Sequence, residues 1–203
     1  VAVGTGTNSI ATSIDGITYT GRGATIFTTG GFGVAYNGSN LWVAVGWAGN
    51  TIATSPDGIT WTGRGATIFT SYGHGIAYNG SNLWVAVGSG TNTIATSTDG
   101  ITWTGRGATI FTYGYGVAYN GSNLWVAVGD GTNAIATSPD GINWTGRGGA
   151  GGFTWGNNIA YNGSDLWVAV GSGTSTIATS PNGITWTGRG ATIFTTNGND
   201  VAY

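Results

Sequence analysis

Cysteine, methionine, lysine and glutamate are absent from the 203 residues, and histidine occurs once. Without cysteine there is no disulfide framework and no thiolate chemistry, and the redox compartment is left open. Five arginines and a net charge of −2 build no basic stripe that could track phosphates, so nucleic acid is not an expected partner. No apolar run approaches the roughly 18 residues that suggest a membrane helix, so no membrane insertion is expected, and no stretch reads as a secretory leader. The lone His74 has no adjacent Asp or Cys with which to form a triad or a metal site. With no Glu and seven Asp, the paired carboxylates of ordinary glycoside hydrolysis find only Asp130 and Asp200 outside the repeated turns, in different repeats. The chain reads as a non-enzyme without cofactor or metal.

Glycine (41 residues), tryptophan (10) and tyrosine (9) are what the chain has instead, and they recur in a pattern. The tetrad Val-Ala-Val-Gly ends at Gly4, Gly46, Gly88, Gly129 and Gly171, at intervals of 42, 42, 41 and 42 residues. A unit of this size cannot bury enough apolar surface alone, so the repeats are expected to stack into a single domain over residues 1–203. Within one unit, Gly75–Tyr78, Leu83–Val87, Thr93–Ser97 and Ile101–Thr104 read as strands. Asn79-Gly80-Ser81-Asn82 and Thr98-Asp99-Gly100 read as tight turns, and no segment has helical periodicity.

Four antiparallel strands repeated five times predict an all-β fold, a five-bladed β-propeller. The terminal segments Val1-Ala2-Val3 and Val201-Ala202-Tyr203 are in phase. The C-terminal segment is therefore expected to pair with the N-terminal strands and close a monomeric ring, removing an exposed edge. Ala of the tetrad is expected nearest the axis. The recurring Trp42, Trp84, Trp125 and Trp167, and Trp61, Trp103, Trp144 and Trp186, are expected between blades, with Tyr19 at the second position in the first copy.

The turn before each fourth strand reads Ser55-Pro56-Asp57-Gly58-Ile59-Thr60-Trp61, Ser97-Thr98-Asp99-Gly100-Ile101-Thr102-Trp103 and Ser138-Pro139-Asp140-Gly141-Ile142-Asn143-Trp144. Ser13–Tyr19 and Ser180–Trp186 are variants with Tyr19 and Asn182. This motif resembles the Asp-box, or BNR, repeat of sialidase-like and photosystem-assembly-factor-like propellers, lacking one residue before the Gly. The resemblance implies a structural hairpin remote from any active face. The Asp would accept from backbone N–H groups of its own turn, and the Trp would anchor it. The blade number also resembles that of tachylectin-2-type lectins. Arg22, Arg64, Arg106, Arg147 and Arg189, one per copy, read either as connector braces bonded to carbonyls or stacked on Trp, or as a ring of anion contacts.

Function is expected where the copies differ, on the face of the second-to-third loops and inter-blade connectors. Phe32, Trp47, Tyr72, His74, Tyr113, Tyr115, Asp130, Trp155, Asn157, Asn158, Asn199 and Asp200 fall there. Aromatic rings cover the apolar face of a sugar while amides and carboxylates read its hydroxyls, so the leading expectation is a lectin-like module with shallow multivalent glycan sites. The alternative is a protein-interaction or structural scaffold, part of a viral, phage or bacterial surface protein or a designed symmetric propeller. Both readings favour an extracellular, virion or cell surface setting.

Overall fold

The computed structural model describes residues 1–203. The fold is all-β, built from repeated antiparallel sheets of the β-propeller type, and divides into two compact units, Val1–Gly105 and Arg106–Tyr203.

The first unit opens with a three-stranded sheet, β1 (Ala2–Val3), β2 (Ile10–Thr12) and β3 (Thr20–Gly21). Two four-stranded blades follow. One holds β4 (Phe27–Tyr36), β5 (Trp42–Gly49), β6 (Ile52–Ser55) and β7 (Thr62–Gly63). The other holds β8 (Tyr72–Tyr78), β9 (Trp84–Ser89), β10 (Ile94–Ser97) and β11 (Thr104–Gly105). The second unit holds two more such blades. These are β12 (Tyr113–Tyr119), β13 (Trp125–Asp130), β14 (Ile135–Ser138) and β15 (Thr145–Gly146), then β16 (Phe153–Tyr161), β17 (Trp167–Gly173), β18 (Ile177–Ser180) and β19 (Thr187–Gly188).

The closing strand expected at Val201–Tyr203 is not formed: these residues carry no strand, and the Val201 N–H is given to the Asp200 carboxylate, 2.9 Å away. The first sheet accordingly has three strands where the other four have four.

Strand alternation sorts the core by size. In β5 and β6, Val43, Val45 and Ile52 share one face, while the paired Ala44 and Ala53 share the other. The Val/Val/Ile face packs on Trp84, Ala86 and Ala95 of the next blade, and the second unit repeats this with Val126, Val128 and Ile135 against Trp167, Ala169 and Ala178. Ala is small here because a neighbouring sheet lies against it. Each first-position Trp also meets the Tyr opposite it, as in Tyr78–Trp84 at 4.5 Å between ring centroids.

Phe27, Phe69, Phe111 and Phe153, which the sequence pattern did not single out, complete these interfaces and are buried. Their rings explain the tetrad glycines. A Cβ on Gly46, Gly88 or Gly129 would lie 2.6, 2.9 or 2.8 Å from the ring of Phe27, Phe69 or Phe111.

The turns before the fourth strands are bonded internally. Asp57 Oδ1 accepts from the N–H groups of Ile59 and Thr60 at 2.8 and 2.7 Å, Gly58 N–H donates to Ser55 Oγ at 2.8 Å, and Trp61 Nε1–H donates to Gly58 O at 2.9 Å. These backbone donors hold Asp15, Asp57 and Asp99 at a pKa of about 2, and Asp140 well below the usual carboxylate range. Asn182 makes the same two backbone bonds, at 2.9 and 2.8 Å, without a charge.

The arginines are braces, but to a partner other than the one expected. Arg22, Arg64, Arg147 and Arg189 donate through Nε to Thr12, Thr54, Thr137 and Thr179 of the strand paired with the last strand of their own sheet, at 2.8–2.9 Å. Thr54 and Thr137 are buried on the apolar Val face, so the guanidinium satisfies a hydroxyl that would otherwise lose its partner.

Candidate functional site

Residues that vary between copies come together within each unit. In the first unit, Phe32 on β4, Trp47 on β5, and Tyr72 and His74 on β8 come together. Tyr72 lies 4.9 Å from Trp47, 5.3 Å from His74 and 6.4 Å from Phe32, and His74 lies 5.4 Å from Phe32. The backbone makes this possible. Trp47 pairs with Tyr72 across the two blades, and Gly33 lets β4 approach so closely that a Cβ there would sit 2.8 Å from the His74 carbonyl oxygen. Phe32 and Trp47 form the exposed part, at 41% and 38% accessible, with Tyr72 and His74 half-buried beneath them.

Beside this cluster lies Ala48, at φ 66° the one non-glycine residue with positive φ. The other copies place Gly6, Gly90, Gly131 and Gly173 here, at φ between 102° and 141°. An L-residue in the left-handed region costs roughly 1–2 kcal/mol, and such strain collects at functional positions. Replacing Ala48 with Gly is expected to stabilise the protein by about 0.5–1 kcal/mol net of the added chain entropy. A rise in urea midpoint checks this, and a fall would show that the Ala methyl is needed.

Burial lowers the His74 pKa from 6.5 to about 4, so the imidazole is neutral at pH 7. The folded state binds fewer protons than the unfolded chain between these values. This group's stability contribution is therefore constant above pH 6.5 and is lost as pH falls toward 4. Denaturant midpoints at pH 7 and pH 4.5 are expected to differ less in His74→Phe than in the parent protein.

In the second unit, Tyr113 and Tyr115 stack at 6.2 Å with an 8° interplanar angle. Asp130 is opposite Tyr113 in the ladder and accepts its N–H at 2.9 Å. Burial, then the Asp130 charge, raises the Tyr115 pKa. Asn157 donates to Gly198 O at 2.8 Å, and Asn158 donates to Asp200 while accepting from Ile159 N–H at 2.7 Å. Four polar groups expected to read a ligand, those of Asp130, Asn157, Asn158 and Asp200, thus make internal bonds that pin strand ends. Trp155 stays 39% exposed and Tyr113 38%, and Asn199 is exposed.

Sequence reasoning missed Ala48, although its departure from Gly in the other copies was visible, and it missed the asparagines that bind the connectors. Asn50, for example, donates to Ile26 O at 3.0 Å and accepts from Gly65 N–H at 2.9 Å. A cavity of about 430 Å³ at the box-turn end of the first unit, lined among others by Ile14, Asp15, Arg22, Trp42 and Asp57, contains none of the expected residues.

No protein-family model and no curated protein sequence matches the chain. Solved structures do match in fold. A chain of a nidogen–laminin complex aligns with a TM-score of 0.62 at 17% identity over 74% of this chain and 60% of that one. YCF48 bound to D1 peptide aligns with a TM-score of 0.58 at 19% identity over 79% and 54%. A GH74 enzyme of Niastella koreensis aligns with a TM-score of 0.54 at 22% identity over 79% of this chain and 24% of its own. The chain thus spans little more than half the length of the first two, and the likeness at these identities is one of fold.

Proposed function

We propose that the protein is a non-catalytic β-propeller module that binds a protein partner through the aromatic face of its first unit. The observation that carries this reading is the contiguous Phe32, Trp47, Tyr72 and His74 cluster, with its two outer rings exposed beside the strained Ala48. Exposed aromatics of this kind supply large contact area at low entropic cost and dominate protein interfaces. Two structures of similar fold are of complexes with a protein or peptide, a nidogen–laminin complex and YCF48 with D1 peptide, which supports the reading. Peptides selected from a random display library on the intact protein should lose binding at least tenfold in Trp47→Ala and in Phe32→Ala. Selected peptides indifferent to both changes would place recognition elsewhere.

A glycan-binding reading stands second. Trp155 and Tyr113 are exposed ring faces of the kind that cover sugars. It stands second because the neighbouring amide and carboxylate groups are already bonded within the chain. Glycan-array binding that is lost in Trp155→Ala would raise it above the first.

A further inference from the structure

We infer that the Phe32, Trp47, Tyr72 and His74 cluster is a docking surface for a proline-rich segment in the polyproline II conformation, an inference that rests on the protein-binding reading and names its partner class. Four features of the cluster select this occupant over other extended peptides.

Strand addition is closed at this edge, because the Trp47 and Tyr72 backbones pair with each other. An incoming chain is therefore held by side chains alone, as polyproline II ligands are. The surface is uncharged. Its members are three neutral aromatic residues and a neutral imidazole, which offer nothing to an acidic or basic segment and match one without charge. Its free hydrogen-bonding groups can donate: neither Trp47 Nε1–H nor the Tyr72 hydroxyl has a partner within the chain. A proline-rich segment is their complement, since its carbonyls are solvated and unpaired and proline has no N–H that needs an acceptor. Finally, the exposed Phe32 and Trp47 flank the recessed Tyr72 at 6.4 and 4.9 Å between centroids. One polyproline II turn rises about 9 Å. Prolines one turn apart would each lie against one outer ring, with the carbonyl between them facing the Tyr72 hydroxyl.

The test is a titration of the full chain with a C-terminally amidated decaproline peptide, followed through the indole N–H resonance of Trp47. A Gly/Ser peptide of equal length and a neutral oligosaccharide are titrated in parallel. Saturable movement of the Trp47 signal by decaproline alone is expected, and calorimetric titration is expected to give an affinity at least tenfold weaker in Trp47→Phe, which keeps an aromatic ring but lacks the indole donor, and in Phe32→Ala. Retained Trp fluorescence and far-ultraviolet spectra in both variants separate loss of binding from loss of fold. If library-selected peptides without proline move the Trp47 signal and decaproline does not, the proline inference is overturned and the protein-binding reading stands. If only the oligosaccharide moves it, or no peptide of either kind does, both are overturned.

Discussion

Trp84→Ala should lower the stability of the protein by about 3–5 kcal/mol, the usual cost of deleting a large aromatic side chain from a core that cannot collapse around the space. Trp84 is 1% exposed and packs with Val43, Val45, Ile52 and Phe69. Val43, Val45 and Ile52 are held by one ladder and Trp84 by the next, so the space left by the indole stays largely open. The Tyr78 ring tilted against it loses its partner as well. Trp47→Ala is the matched contrast: the same change at an exposed site should cost about 1 kcal/mol or less. Urea unfolding of the two variants decides. Equal losses would show that the first-position tryptophans do not form the inter-blade core.

Gly88→Ala should cost about 3 kcal/mol, the upper end of what one added carbon does in a packed interior. The new methyl would overlap the Tyr72 carbonyl oxygen and lie 2.9 Å from the Phe69 ring. The obstacle is backbone, and β8 and β9 are hydrogen-bonded on both sides of it, so relief requires parting a ladder. The penalty is purely spatial, since Gly88 is not among the glycines with positive φ. Gly80→Ala tests the other kind of glycine. It has nothing within 4 Å but sits at φ 81°, so only the conformational cost of roughly 1–2 kcal/mol applies. Thermal unfolding should rank Gly88→Ala well below Gly80→Ala; the reverse order would mean that the Phe69 side chain and β8 shift freely.

Much of this architecture is legible in the sequence because it is local and repeated. The box turn is one example: Ser55, Asp57, Gly58 and Trp61 satisfy one another within seven residues, so the motif predicts its own geometry. The fourth strand shows the limit of the same signal. Ile101–Thr104 has the composition of a strand, yet the strand is only Thr104–Gly105. The N–H groups of Ile101 and Thr102 are already given to Asp99, which removes them from any ladder. The threonines that the arginines bond were not among the partners expected, because a threonine ten residues away becomes adjacent only once the two strands pair.

The candidate site was less legible for the same reason. That Phe32, Trp47, Tyr72 and His74 differ from their counterparts can be read from the repeats. That they touch cannot, because they come from three strands of two sheets and meet only where those sheets approach at Gly33 and at the Trp47–Tyr72 pair. Asn157, Asn158 and Asp200 looked equally available in the chain, and tertiary structure engaged them in bonds between their segments. The sequence by itself determined the repeat, the turns and the all-β fold, since these depend on residues within one unit of about 42. Only the tertiary structure decided which of the varying rings meet and which polar groups are already bonded, because contact between neighbouring sheets is a non-local interaction, and nothing in the local sequence of Trp47 or of Tyr72 announces that the two pair.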